Sequence, residues 1–298
     1  METLDAILAR YVAQGDDTRD KLLGAAFVVQ IITVPAILTL VERGLFSLDS
    51  DVRPLIPELA GLQILRGFNR ANGAPILEDN DGEITLRHLL THTAGLTYDL
   101  ADPDLKKWSK SVGRTDTNPH HTLAGWTTPL KFTPGQGWRY GTSIDWAAQL
   151  VERMTGQTIG AYLEENILRP LGMADTTFHS TYKPDLEKAE CGRGIEMVDE
   201  MFRPQPNDMQ RTSLQDTFPP GTMVQHGIGW VMNVEGVPGK RRAGSMQWMG
   251  VANCHWVTTG IAATLIVNVY PFPDDVVIKL YDKPERAVYG ELLAELRK

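Results

Sequence analysis

Thr33-Val34-Pro35-Ala36-Ile37-Leu38-Thr39-Leu40-Val41-Glu42-Arg43-Gly44-Leu45 is the stretch that decides how this chain is read. Ala36 to Arg43 has the composition of the last turns of a buried helix. Gly44 stands where a helix commonly turns left-handed, and Arg43 puts a cation at the negative end of the helix dipole. Upstream, Lys21 and Glu42 bracket the uncharged segment Leu22 to Val41. A segment of that length can cross a bilayer. Gly24, Gln30, Thr33, Pro35 and Thr39 dilute its apolar character, and Pro35 is expected to break a helix midway. The expected arrangement is a short strand, Leu23 to Val29, running into a buried helix, with membrane insertion disfavoured.

Downstream, Thr85 reads as the N-cap of a helix beginning Leu86-Arg87-His88-Leu89-Leu90 and ending near Gly95. Ser143 to Thr155 carries Ile144, Ala147, Ala148, Leu150 and Val151 on one side, with Gly156 as its stop. Ser143 reads as the cap of that helix, with Asp145 in the first turn. Another helix is expected from Ile159 to Ile167. Asp49 to Leu59 reads as an irregular connector, Asn69 to Gly82 as a polar surface loop, and residues 99–137 as loops with short helical pieces.

Past residue 225 the texture changes. Gly227 to Val234, Ala252 to Val257 and Ile261 to Val269 are short β-rich runs between Gly and Pro turns, and Pro284 to Leu296 closes as a helix. The expected fold class is α+β: one domain over 1–298, with a mainly helical subdomain at about 45–225. An antiparallel sheet and terminal helix at about 226–298 would associate with residues 1–44, which open on a helical repeat over 3–14.

A chain of 298 residues with 42% apolar and 22% charged residues can bury a substantial core. The formal net charge of -8 argues against nucleic acid as a partner, because phosphate neutralisation needs clustered cations. Lys240-Arg241-Arg242 is one short basic run, expected as a solvated loop. Cys191 and Cys254 show no metal-ligand spacing, and the acidic start Met1-Glu2-Thr3-Leu4-Asp5 lacks a basic leader. Together these point to a reduced, cytoplasmic protein. No cofactor or metal is expected, and the sequence does not specify an oligomeric state.

Six stretches carry a family resemblance. They are Leu40-Val41-Glu42-Arg43-Gly44 with Leu48-Asp49; Ile84 to Leu96; Phe132-Thr133-Pro134-Gly135; Trp138 to Trp146; Arg169 to Phe178; and Gly244 to Gly250. In this order they resemble class C β-lactamases, family VIII carboxylesterases and fungal lovastatin-type acyltransferases, with a lean towards the fungal branch. The resemblance implies a β-lactamase/transpeptidase-like fold acting on small-molecule ester or acyl substrates. In that family a helix opens with Ser-x-x-Lys: the serine attacks an acyl carbonyl, and the lysine one turn later takes its proton. A tyrosine completes the relay, and backbone N–H groups bind the oxyanion.

Carried over residue by residue, Tyr140 stands at the catalytic tyrosine, as general base or acid. Trp248 and Gly250 match the third motif at the edge of the acyl pocket. Apart from the resemblance, His226 beside Gly227 is a cleft-lining candidate from its position near the sheet alone. The first motif departs from the pattern. Phe27 stands at the serine and Gln30 at the lysine, and neither side chain can act as nucleophile or base near neutral pH. The upstream stretch is also short for the family, which reads as an internal deletion that removes Ser-x-x-Lys and part of the first strands. The expected consequence is impaired or altered esterase or acyltransferase activity. The alternatives are an inactive ligand-binding homologue, a relocated nucleophile at Ser180 (in Ser180-Thr181-Tyr182-Lys183) or Ser143, or a non-enzymatic product such as an incomplete gene. His88 and His92 sit four apart on the expected helix, a spacing that can hold a metal, but no Glu follows His88 and a structural role is favoured. His120 and His121 read as loop surface.

Overall fold

The computed structural model describes residues 30–99, 101–173, 198–218, 223–250, 253–258, 261–266 and 285–286. Phe27, Ser180, Cys191 and the expected strand at 23–29 lie outside the described residues, as does the terminal helix beyond residue 286.

Helix α1, Gln30–Glu42, is the centre of the core. Val34, Ala36, Ile37, Leu38 and Leu40 are all enclosed, so the helix is apolar on every side and must be wrapped by other elements. Contrary to expectation, α1 runs through Pro35. A proline inside a helix removes one backbone donor and crowds the preceding turn; burial of both flanks of Pro35 offsets that cost. Gly44 (φ 66°) ends the helix as expected: its N–H donates to the Val41 carbonyl, and Leu45 N–H reaches back to Leu40. These two bonds satisfy the last carbonyls in a Schellman motif. Thr39 Oγ1 donates to Ala36 O at 2.7 Å and lies 2.6 Å from the Tyr162 hydroxyl, tying α1 to a neighbouring helix.

The other helices are α2 (Pro57–Ala60), α3 (Leu86–Leu90), α4 (Pro103–Ser111), α5 (Leu123–Trp126), α6 (Ser143–Thr155), α7 (Ile159–Leu163), α8 (Val198–Met201) and α9 (Asp208–Gln215). Thr85 caps α3 through a capping box, its hydroxyl accepting from His88 N–H while His88 Nδ1 accepts from Thr85 N–H. Helix α6 has the expected bounds and ends at Gly156 (φ 70°), but its cap residue is Thr142 rather than Ser143. Ser143 is the first helical residue, and its buried hydroxyl reaches no partner among the described residues. Helix α7 continues into a π-turn at Glu164–Leu168. Ile144, Trp146, Ala147, Leu150 and Val151 bury the apolar stripe of α6, which packs against α1, α3 and α7.

Within the two described sheets every strand pair is antiparallel. Strands β1 (Ile64–Phe68) and β2 (Pro75–Glu78) form a hairpin, so the stretch Asn69 to Gly82 expected as a surface loop supplies its turn and its second strand. Arg66 forks onto Glu78 across it at 2.8 Å, while Asn69 and Asn72 side chains accept backbone N–H groups in the turn. The larger sheet has the order β3-β4-β5-β6-β7, formed by Val224–His226, Val231–Asn233, Met246–Gly250, Asn253–Thr258 and Ile261–Ile266. Gly229 (φ 82°) turns β3 into β4, and a Cβ there would meet the Val34 side chain at 2.7 Å. Its N–H donates to Leu90 O. The sheet is thereby seated against α1 and α3, the junction where the site lies.

Of the basic run, Arg242 is exposed as expected, but Lys240 and Arg241 are not solvated. Arg241 is 9% exposed, and its guanidinium meets the fully buried Glu285 at 2.7 Å, with Lys240 on the other carboxylate oxygen at 3.3 Å. The turn after β4 folds these cations inward onto the C-terminal segment.

Candidate active site

Four segments converge beside α1: the turn after α3, the loop before α6, the end of β3 and the middle of β5. They bring His92, Trp138, Tyr140, His226 and Trp248 into one aromatic cluster. Tyr140 lies with its ring centroid 4.9 Å from His92 and 5.0 Å from Trp248. His226 is 6.0 Å from Trp248 and 5.8 Å from His92. The sequence candidates Tyr140, His226 and Trp248 are therefore brought together. Gly250 ends β5 opposite Asn253, two residues beyond Trp248 and so on the same face of the strand.

His92 was assigned elsewhere by the sequence. It does not lie on a helix with His88, because α3 ends at Leu90 and His92 adopts φ 57°. A left-handed conformation at a non-glycine residue stores strain and concentrates at functional sites. It is held there from both sides, His92 N–H donating to Leu89 O and Arg139 N–H donating to His92 O. This backbone bond also fixes the loop that carries Trp138 and Tyr140. His92 thus lies past the end of the helix that carries His88, and among the described residues no cluster of three or more His, Cys, Asp or Glu side chains could hold a metal.

Burial dominates the electrostatics. His226 is fully enclosed and its pKa falls to about 4, the cost of desolvating an imidazolium outweighing the help of the Gly227 carbonyl. Nδ1 lies at 2.5 Å from that carbonyl and must donate, which leaves Nε2 as a free acceptor, without a partner among the described residues. His92 is pushed well below the ordinary histidine value, first by burial and then by His226. Neither of its ring nitrogens finds a partner among the described residues. Both imidazoles are thus neutral at physiological pH.

A second layer was invisible to sequence reading. The Tyr98 ring packs edge-on against Tyr140 at 5.3 Å. Burial, then Tyr140 and Asp145, raise the Tyr98 pKa well above the ordinary phenol range. Asp145, in the first turn of α6, is raised to about 6 by burial. Next to Tyr98, the buried Asp99 carboxylate accepts from Arg114 at 2.8 Å, while Asp99 N–H donates to Asn118. No short motif announces this network, because its members are far apart in sequence.

As a nucleophile, Ser143 is poorly placed: it is wholly enclosed at the start of α6. His120 and His121 are exposed, as expected. No helix of the described residues is long and apolar enough to cross a membrane.

The beta-lactamase family profile matches residues 31–283. The chain is 27% identical to the ML-236A carboxylate methylbutanoyltransferase of Penicillium citrinum, covering 92% of this chain and 82% of the relative. It is 38% identical to the lovastatin esterase of Penicillium rubens over 168 residues, spanning 56% of this chain but only 42% of the esterase. Among solved structures, unliganded simvastatin synthase from Aspergillus terreus superposes with a TM-score of 0.78 at 26% identity, over 93% of this chain and 87% of the synthase.

Proposed function

We propose, from the premise that this chain belongs to the beta-lactamase family, that it acts on a small-molecule ester or acyl substrate through proton transfer at Tyr140, without the covalent acyl-enzyme route. The observation that carries this reading is the assembled cluster of Tyr140, His92, His226 and Trp248 in a chain with Phe27 and Gln30 at the nucleophile and lysine positions. Its relatives include esterases and acyltransferases. The internal deletion is supported by the match to the Penicillium citrinum enzyme, whose alignment extends over 342 positions, more than the 298 residues of this chain.

In the reaction the Tyr140 phenolate accepts a proton from an attacking water or alcohol as its oxygen bonds to the acyl carbon. The proton then passes to the departing alkoxide, so the phenolate is regenerated and no acyl-enzyme forms. A phenol is a base only when ionised, so the rate rises with pH. Trp248 and Gly250, on one face of β5, are assigned to the acyl side of the substrate, with His226 behind them. The acceptor is a small alcohol or polyketide-like hydroxyl. We assign the helical subdomain to about 45–225 and the sheet and terminal helix to about 226–298 together with 1–44, so that the site lies at their junction.

Hydrolysis of 4-nitrophenyl butyrate, and transfer of its acyl group to an alcohol, test the assignment in the wild type and Tyr140→Phe. Substitution is expected to cut the protein-dependent rate by about a hundredfold, a typical contribution of one positioned acid or base. An unchanged rate overturns the assignment. If the wild type gives no protein-dependent rate but butyrate esters still quench Trp138 and Trp248 fluorescence, the ligand-binding reading replaces it.

A further inference from the structure

We propose that Thr97 is a positioning residue for Tyr140, its side-chain hydroxyl fixing the backbone from which the Tyr140 ring reaches into the site. The inference rests on the reading of Tyr140 as the acid–base group and names what aims it.

Residues 92–97 form a template along which the loop 131–141 is laid. Lys131 N–H donates to Gly95 O at 2.9 Å, Gly135 N–H to Thr93 O at 2.8 Å, and Arg139 N–H to His92 O at 3.0 Å. A Cβ at position 95 would meet Phe132 O at 2.6 Å. One at position 141 would meet Thr97 Cα at 2.5 Å and Leu96 O at 2.6 Å. Glycine at both positions lets the two stretches lie in backbone contact.

Two ties bracket the Cα of Tyr140. One residue before it stands the Arg139 N–H bond to His92. Directly after it, Thr97 Oγ1 donates to the Tyr140 carbonyl at 3.1 Å. Thr97 is 3% exposed, so water does not compete for this bond. Threonine is stiff at χ1, and the backbone at 97 is pressed against Gly141, so the hydroxyl has a fixed direction. With its backbone held on both sides, Tyr140 is left with rotation of its own side chain, which His92 at 4.9 Å and Trp248 at 5.0 Å confine. Proton transfer depends steeply on where the accepting oxygen stands; a misplacement of about 1 Å costs on the order of a hundredfold.

The test compares ester cleavage by wild type, Thr97→Val, Thr97→Ser, Tyr140→Phe and the double variant Thr97→Val with Tyr140→Phe. Valine keeps the branched shape and removes the hydroxyl. Thr97→Val is expected to lower kcat about tenfold with KM unchanged, the order that one hydrogen bond supports. Thr97→Ser, which keeps the hydroxyl, should recover most of that loss. In the Tyr140→Phe background the valine should add nothing, because Thr97 acts through a phenol that is already gone. An equal loss in both backgrounds overturns the inference, as does full activity in folded Thr97→Val.

A second readout does not depend on activity. In protein carrying tyrosine labelled with carbon-13 in the ring, the Tyr140 signal lies in the ring-current field of His92 and Trp248. The signal lost in Tyr140→Phe identifies it among the eight tyrosines. It is expected to move in Thr97→Val and to stay in place in Thr97→Ser. An unmoved signal in folded Thr97→Val overturns the positioning, whereas an unchanged rate in Tyr140→Phe overturns the acid–base reading instead. Should Thr97→Val fail to fold, Thr97→Ala, which removes the hydroxyl without filling its space, takes its place with the same outcomes.

Discussion

The imidazoles of His92 and His226 stand edge-on at 5.8 Å between ring centroids, both enclosed, and each with a nitrogen that has no hydrogen-bond partner among the described residues. Buried polar atoms without partners are costly, and a pair of them in one cluster calls for a functional explanation. The pair provides neutral acceptors beside Tyr140, and it makes the fold acid-sensitive. Between pH 6.5 and about 4 the unfolded chain binds a proton at residue 226 that the folded chain refuses. Stability therefore falls as pH falls through that window, by about 3 kcal/mol for His226. His226→Gln is expected to flatten the dependence of the urea midpoint on pH between 7 and 4.5. A slope as steep as that of the wild type would contradict this.

Asp145 works in the opposite direction. Its folded-state pKa of about 6 lies above the ordinary 3.8, so the folded chain holds a proton that the unfolded chain releases. Stability from this group is present below pH 3.8 and is lost as pH rises to about 6. In the wild type it offsets part of the histidine penalty over the same range. Asp145→Asn should steepen the acid loss, read as a larger drop in Tm from pH 6.5 to 4.5. Parallel curves for the two proteins would show that Asp145 does not titrate as stated.

Glu285 carries the charge balance of a buried triad with Arg241 and Lys240. Glu285→Ala leaves two enclosed cations without their carboxylate, and removing one partner of a buried pair typically costs about 3–5 kcal/mol. Denaturant unfolding should show that loss. A change below about 1 kcal/mol, the range of an exposed pair, would mean the triad is solvated.

Asp99 secures the segment that bears Tyr98. Asp99→Ala removes the Arg114 partner from a site where both side chains are largely buried, again a loss of about 3–5 kcal/mol. Because the segment also sets Tyr98 against Tyr140, the ester-cleavage rate should fall together with stability, with KM little altered. A destabilised protein with full activity would separate the anchor from the site.

How much of this was legible in the sequence depended on whether the signal was local. The ends of α1 and α6 were legible because Gly44 and Gly156 are needed for a left-handed turn at the residues where the apolar pattern stops. The Thr85 cap was legible for the same kind of reason. The β1–β2 hairpin was not, since its strands are short, lack alternation and are stabilised by the Arg66–Glu78 fork across twelve residues. Within the candidate site, Tyr140 and Trp248 were proposed by resemblance and His226 by its position near the sheet. His92 was misplaced, because a helical spacing from His88 cannot reveal that the chain reverses at residue 92. Tyr98 left no trace, because its packing against Tyr140 is set by Gly141, Arg114 and Asn118, distant positions that only the fold assembles.

The most direct measurement is the intact mass of the folded protein after incubation with a fluorophosphonate probe, which forms a stable adduct with an activated serine. The account predicts no adduct, alongside an ester-cleavage rate that still depends on Tyr140. A single stoichiometric adduct would contradict it, and the labelled peptide would name the serine that restores the covalent mechanism.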